Sequence, residues 1–124
     1  MRILQQAFRV YTDINGLEKG IRFYEEIQGI KCERRVKILE TGVEAAKVGG
    51  FLILAGDKEQ IYAVRFVNAI FYVDSLDEFS DLLNSKGADI VHGPRIVTGG
   101  KNLTARHADG LVVEYFEAVI KENK

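Results

Sequence analysis

The alternation of apolar and polar residues is written twice along the chain, about 60 positions apart. One alternating segment covers residues 7–13 and the other covers residues 68–74, and each ends in aspartate. Each runs into a stretch in which apolar residues recur at helical spacing. Each copy then closes on a glycine turn and an apolar segment, at residues 49–54 and 109–114. This repetition predicts a β-α-β-β-β unit used twice.

The two predicted helices have clear start and stop signals. The first begins after Asn15 and ends at Gly29, because glycine is a common C-terminal residue of helices. The second begins with a capping box, Ser75 and Glu78, and ends at Gly87. The first apolar stripe consists of Leu17, Ile21 and Tyr24, widened by Phe23 and Ile27, and the second of Leu76, Phe79, Leu82 and Leu83.

The remaining apolar segments are predicted strands. Asp109-Gly110 is a strong signal for a two-residue hairpin loop. The glycine-rich segment 98–102 is predicted to form a mobile turn, and a role as a lid or ligand contact is the alternative. His92 is placed before a Gly-Pro turn. The polar segment 57–60 marks the boundary between repeats at about 3–56 and 66–118, within a single domain of residues 1–124. The predicted strands that follow the helices cover residues 30–38, 43–48, 51–55, 90–91, 102–107 and 111–116.

Composition narrows the class of protein. The chain has 124 residues, 47% hydrophobic and 28% charged, which is typical of one globular domain. Its formal net charge of -1 gives no electrostatic footprint for nucleic acid. No stretch is apolar enough for a signal peptide or a membrane span. A single cysteine, Cys32, excludes an intrachain disulfide and favours a cytoplasmic location.

Five short segments carry a family resemblance: GLEKGIRFYE at 16–25, YVDSLD at 72–77, HGP at 92–94, NLTARHADG at 102–110 and VVE at 112–114. In this order they resemble the vicinal oxygen chelate superfamily, which includes glyoxalase I, bleomycin-resistance proteins, fosfomycin-resistance enzymes and extradiol dioxygenases. The resemblance covers residues 7–117 and implies an α+β fold. In that fold two βαβββ repeats form a cup-shaped mixed sheet, with the helices on the outer, convex face. The resemblance implies that the concave face holds the ligand.

The resemblance also implies where a metal would lie. Carried over by position, the four metal-binding sites of the enzymatic members fall on Ala7, Leu54, Asn68 and Glu114, and the internal repeat relates them in the same way. Alanine and leucine have no donor atoms, and a neutral amide is a poor ligand for Zn, Fe or Ni. We therefore predict no metal and no other cofactor. Both histidines, His92 and His107, are interpreted as solvated or hydrogen-bonded loop residues.

Glu114 is the charged residue that needs an explanation, because its neighbours are apolar. The strand period places it with Val112 and Phe116, on the face that the resemblance makes concave. A partly buried carboxylate requires a cation or hydrogen-bond donors. One interpretation is a structural pair with Arg9 or an exposed glutamate at the rim. The other is an anchor, or a catalytic general base, for a bound ligand.

The predicted function depends on the side chains that line the concave face of the sheet. Phe8 with Val10, and Phe71 with Val73, are expected to meet the helices. The predicted ligand-binding residues are Arg9, Tyr11, Asn68, Tyr72, Asn102 and Glu114.

We expect a glyoxalase- or bleomycin-resistance-like protein that binds a small organic ligand. The alternative is an enzyme of the same superfamily of lyase, isomerase or dioxygenase type, working without metal or with a shifted metal site. A homodimer is also expected, since small members usually pair; surplus aromatic residues such as Tyr62 and Phe66 agree with this.

Overall fold

The structure, a computed structural model, describes residues 1–119. Its elements are β1 (Ile3–Thr12), a 3₁₀ turn (Ile14–Gly16), α1 (Leu17–Gln28), β2 (Arg34–Lys37), β3 (Glu44–Val48), β4 (Phe51–Ala55), α2 (Lys58–Val64), β5 (Ala69–Val73), α3 (Leu76–Ser85), β6 (Asp89–Val97), β7 (Gly100–Arg106) and β8 (Val112–Ala118). Strand β1 runs parallel to β4, whereas β2–β3, β3–β4, β6–β7 and β7–β8 are antiparallel. The α+β class, the mixed sheet and the two βαβββ repeats are therefore confirmed.

The strand order is β2-β3-β4-β1-β5-β8-β7-β6. Contacts divide the chain into two units: the first unit is Ala7–Ala69, and the second unit is Met1–Gln6 with the chain from Ile70 onward. The first six residues are thus grouped with the second half of the sequence. Inside the second unit the backbone N–H of Arg2 donates to the Asp74 carboxylate (2.7 Å), and the N–H of Asp74 donates to the Arg2 carbonyl (3.2 Å).

Helix α1 covers the core of the first unit. Leu17 and Ile21 are buried, and Tyr24 and Val10 pack against the same cluster as predicted. Gly29 ends the helix in a left-handed conformation (φ 68°), which is also as predicted. The extension of the stripe to Phe23 and Ile27 was wrong, because these side chains are 56% and 57% exposed. A helix turns about 100° per residue, so Phe23 is rotated away from the face on which Tyr24 lies.

Helix α2 was not predicted, since the polar segment 57–60 was interpreted as a boundary. Asp57 caps the helix by accepting from the Gln60 N–H (2.8 Å), and the Gln60 side chain accepts from the Asp57 N–H (2.8 Å). These reciprocal bonds form a capping box. The sequence signal was therefore present: an aspartate followed three residues later by glutamine, ahead of Ile61 and Val64.

Helix α3 packs on the second unit through Leu76, Phe79 and Leu83, which are buried as predicted. The Ser75 half of the predicted capping box is present, since the Ser75 hydroxyl accepts from the Glu78 N–H (3.3 Å). The Glu78 carboxylate, predicted to reach back to Ser75, lies 3.9 Å from the ammonium group of Met1 instead. A second contact closes the same end of the helix. The backbone N–H of Leu76 donates to the Glu117 carboxylate on β8 (2.7 Å). A side chain 41 residues away in sequence therefore satisfies one of the free N–H groups of the first turn.

Three turn predictions need correction. His92 does not precede a turn, because β6 continues through it, and a register shift between His92 and Arg95 absorbs the Gly-Pro pair as a bulge. The 98–102 turn is shorter than predicted, since Val97 already pairs with Gly100. The loop at Asp109-Gly110 has three residues rather than two, because the His107 N–H donates to the Leu111 carbonyl (2.8 Å).

Candidate ligand-binding face of the second unit

Two rows of side chains cross the sheet of the second unit on the same side. His92, Thr104 and Glu114 are directly opposite one another on β6, β7 and β8. Arg95, Asn102 and Phe116 form the next row on the same three strands. Directly opposed residues project to the same face of a sheet.

The face that carries these rows is the one turned away from α3. Tyr115 lies between Glu114 and Phe116 in sequence, and its ring lies 5.7 Å from that of Phe79 on α3. Because successive side chains of a strand alternate, Glu114 and Phe116 project to the opposite side.

The polar centre of this face is the pair formed by Asn102 and Glu114. The Asn102 Nδ2 donates to the Glu114 Oε2 at 2.9 Å, and Glu114 is half-buried. Asn102 is only 8% exposed, and its Oδ1 atom is buried without a hydrogen-bond partner among residues 1–119. A buried acceptor without a donor costs about 1–3 kcal/mol. The pair therefore offers an acceptor that a bound donor group would satisfy.

Aromatic side chains adjoin this polar pair. The rings of Tyr72 on β5 and Phe116 on β8 are 5.9 Å apart and inclined at 73°, an edge-to-face contact. Phe116 is directly opposite Asn102 in the register. Of the predicted ligand residues, Tyr72, Asn102 and Glu114 thus share one face of the second unit, although their role in binding stays a prediction.

Thr104, His92 and Phe116 belong to this face and were not named as ligand residues from the sequence. Thr104 is 1% exposed and lies between His92 and Glu114 in their row. The sequence could have identified Thr104 through the hairpin at Asp109-Gly110. Once the length of that loop is known, the pairing of β7 with β8 sets Thr104 opposite Glu114.

At Gly93, strand β6 lies very close to the backbone of Asn102 and Leu103 on β7. Gly93 has φ 89°, and a Cβ atom built there would lie 2.6 Å from the Asn102 carbonyl oxygen and 2.8 Å from the Leu103 Cα. Such contacts are too short for any side chain, so the bulge requires glycine. Residue 93 therefore sets how closely β6 lies against the strand that carries Asn102.

His107 contacts Tyr115, the residue of β8 whose ring faces α3. Its Nε2 lies 2.7 Å from the Tyr115 hydroxyl, which confirms the interpretation of a hydrogen-bonded histidine. Burial raises the pKa of the Tyr115 phenol above its ordinary value, because the charged form is poorly solvated there. The rings of Phe71 and Tyr115 are in edge contact at 5.4 Å. Phe71 thus lies toward α3, as predicted.

The other predicted ligand residues lie in the first unit. The Arg9 guanidinium carbon is 5.5 Å from the centre of the Tyr11 ring, within cation–π range. The Tyr11 hydroxyl lies 2.5 Å from the Val67 carbonyl oxygen and donates to it. This bond fixes the segment between α2 and β5. Asn68 is exposed, and its carbonyl accepts from the Arg9 N–H at 3.1 Å.

The four positions implied for a metal do not present a suitable donor set. Ala7 and Leu54 are buried at 4% and 1% exposure and have no ligating atoms. Asn68 contributes a neutral amide, so Glu114 is the one anionic donor of the four. Across residues 1–119, no three His, Cys, Asp or Glu side chains are grouped closely enough to hold a metal ion.

Comparison with solved structures identifies proteins that share this fold. An uncharacterized protein from Methanosarcina mazei shares 41% identity with the chain, with a TM-score of 0.86, over 99% of this chain and 98% of that one. The methylmalonyl-CoA epimerase of Mycobacterium tuberculosis is 18% identical, with a TM-score of 0.73, over 95% and 90% of the two chains. A variant of the Streptomyces coelicolor methylmalonyl-CoA epimerase, solved in complex with 2-nitronate-propionyl-CoA, is 14% identical with a TM-score of 0.68, over 97% and 99%.

The methylmalonyl-CoA epimerases have the fold of the vicinal oxygen chelate superfamily, and the match with them confirms the fold expected from the sequence. The chain belongs to the same family as the Methanosarcina mazei protein. No family model and no curated protein sequence matches it. Within residues 1–119, no helix has the length and apolar character needed to span a membrane.

Proposed function

We propose that the protein binds a small organic ligand on the second unit's face around Asn102 and Glu114, without the metal of the superfamily's enzymes. The observation that supports this most directly is the buried Asn102 Oδ1, which lacks a hydrogen-bond donor among the described residues. Its amide nitrogen is already bonded to Glu114. Two acceptor groups thus lie side by side, and each is complementary to a ligand N–H or O–H.

The aromatic rings next to the polar pair indicate the chemical character of the rest of the ligand. Tyr72 and Phe116 supply apolar contact area next to the polar pair. Small-molecule sites typically combine such an apolar lining with a few placed polar groups. We therefore expect a compact ligand that has a flat or apolar part and carries at least one donor, such as an alcohol, an amide or an ammonium group.

An enzyme of the same superfamily is the second candidate. The supporting observation is that Asn102 holds the Glu114 carboxylate in a fixed orientation through the 2.9 Å hydrogen bond. An oriented carboxylate can act as a general base toward a bound C–H or O–H group. Incorporation of solvent deuterium into a ligand, dependent on Glu114, would distinguish catalysis from binding alone.

A screen of small metabolites tests the binding proposal. Hits from thermal shift are followed by ¹⁵N NMR, in which the side-chain NH₂ of Asn102 is observed directly and assigned from its loss in Asn102→Asp. We expect true ligands to shift this resonance together with the backbone amides of Glu114 and Phe116. Ligands that raise the melting temperature but shift resonances elsewhere would contradict the proposed site.

The metal prediction is tested separately. Protein purified without chelator should contain well under one equivalent of Zn, Ni, Mn or Fe, and excess EDTA should leave its melting temperature unchanged. A tightly bound metal would otherwise add several kcal/mol of apparent stability by mass action, so its removal would be visible in the melting curve. Stoichiometric metal that is lost in Glu114→Gln would contradict the prediction.

A further inference from the structure

Four aromatic rings form a continuous chain of contacts across the first unit. Phe8 on β1 lies 5.8 Å from Phe51 on β4, Phe51 stacks on Tyr24 of α1 at 4.2 Å, and Tyr24 meets Phe23 edge-on at 5.1 Å. Ile27 follows Phe23 by one helical turn and is its neighbour on the helix surface. We call these five residues the aromatic patch.

The patch is anchored on one side and open on the other. Tyr24 packs against the buried cluster of the first unit, which fixes the inner part of the ring chain. Its outer members are exposed to an unusual degree: Phe8 by 66%, Phe23 by 56% and Ile27 by 57%. Contiguous apolar surface of this kind typically marks an interaction site rather than scattered surface residues.

The charges beside the patch favour a second copy of this chain as the occupant. Lys19 and Arg22 are exposed in the first half of α1, whereas Glu26 is exposed in the second half. Glu18 is already paired with Arg35 at 2.6 Å. A two-fold axis crossing α1 near Phe23 would run the two helices antiparallel. It would bring the basic half of each helix opposite Glu26 of the other copy.

The area is of the size that a self-interface needs at its centre. The exposed parts of Phe8, Phe23 and Ile27 amount to on the order of 300–400 Å² of apolar surface per copy. A two-fold contact counts this area twice, giving about half of the ~1,600 Å² buried by a standard interface. The flanking charged side chains of α1 would supply the polar rim.

We propose that the aromatic patch is the interface of a two-fold symmetric dimer, with antiparallel α1 helices. Such an interface is isologous, so each contact occurs twice. The proposed interface therefore consists of residues on α1, β1 and β4. It does not include Tyr62 and Phe66, the aromatic residues that the sequence analysis linked to dimer formation. The assignment is independent of the ligand proposed for the second unit.

Sedimentation equilibrium at micromolar concentration tests the interface. The wild-type protein should be a dimer, and Phe23→Glu should raise its dissociation constant by about 30-fold or more, the effect of a central interface residue. Tyr62→Glu is the matched control, because Tyr62 is 70% exposed on α2 and lies outside the patch. A monomeric wild type, or a Phe23→Glu protein that dimerises normally, would overturn the proposal.

Charge exchange tests the antiparallel arrangement without altering the rings. Lys19→Glu alone and Glu26→Lys alone should each weaken the dimer, since like charges would then face each other twice. An equimolar mixture of the two variants should form heterodimers, because both contacts become complementary. If the mixture dimerises no better than the separate variants, the proposed orientation of α1 is wrong.

Discussion

Gly93→Ala is expected to lower the free energy of unfolding by about 2–4 kcal/mol, measured by urea denaturation. Two costs combine at this position. The backbone has φ 89°, which L residues rarely adopt, and the added methyl would lie 2.6 Å from the Asn102 carbonyl oxygen. Relief of this contact requires β6 to move away from β7, so the Asn102 side-chain resonance should shift as well.

Gly110→Ala separates these two costs. Gly110 also has a positive φ, 97°, but no atom lies within 4 Å of a Cβ built there. Its replacement should therefore cost only the backbone term, about 1–2 kcal/mol. Equal losses in the two variants would show that the approach of Gly93 to Asn102 carries no energetic weight.

Glu114→Gln is expected to weaken binding of the ligand found by screening by about tenfold or more, equivalent to ~1.4 kcal/mol. The glutamine oxygen can still accept from Asn102, so the substitution removes the charge while keeping the hydrogen bond. Stability should fall by only about 0–2 kcal/mol. Isothermal titration calorimetry and urea denaturation measure the two effects.

Glu117→Gln is the matched control on the same strand. The Glu117 carboxylate accepts from the Leu76 N–H at the start of α3, so its neutralisation should reduce stability by up to about 1 kcal/mol and leave affinity unchanged.

If Glu114 serves only in a structural pair with Arg9, Glu114→Gln and Arg9→Gln should both destabilise the protein, with coupling in a double-mutant cycle. Unchanged ligand affinity in Glu114→Gln would remove this residue from the site.

Local signals explain which elements were predictable. Gly29 ends α1, Ser75 caps α3, and β4 has the bounds expected from its apolar run. These features depend on a few adjacent residues, so they can be interpreted without tertiary information. Phe23 shows the limit, because its exposure depends on how much of the helix the sheet covers.

Three residues of the candidate face were named from the sequence, but the contacts between them were not, and Thr104, His92 and Phe116 were not named as ligand residues. Tyr72, Asn102 and Glu114 were each named from the sequence, whereas the hydrogen bond between the last two was not. That contact depends on the strand register. A two-residue loop at Asp109-Gly110 would set Glu114 opposite Ala105, whereas the observed three-residue loop sets it opposite Thr104. A shift of one residue moves every side chain to the other face.

The bond between Leu76 and Glu117 bears on the order of events during protein synthesis. The N-terminal end of α3 is completed by a carboxylate that the ribosome adds 41 residues later. Contacts of such sequence separation form only after the intervening chain is available, and they slow folding because a long loop must close. Helix α3 therefore emerges from the ribosome with an incomplete first turn, which becomes closed when β8 pairs beside β7.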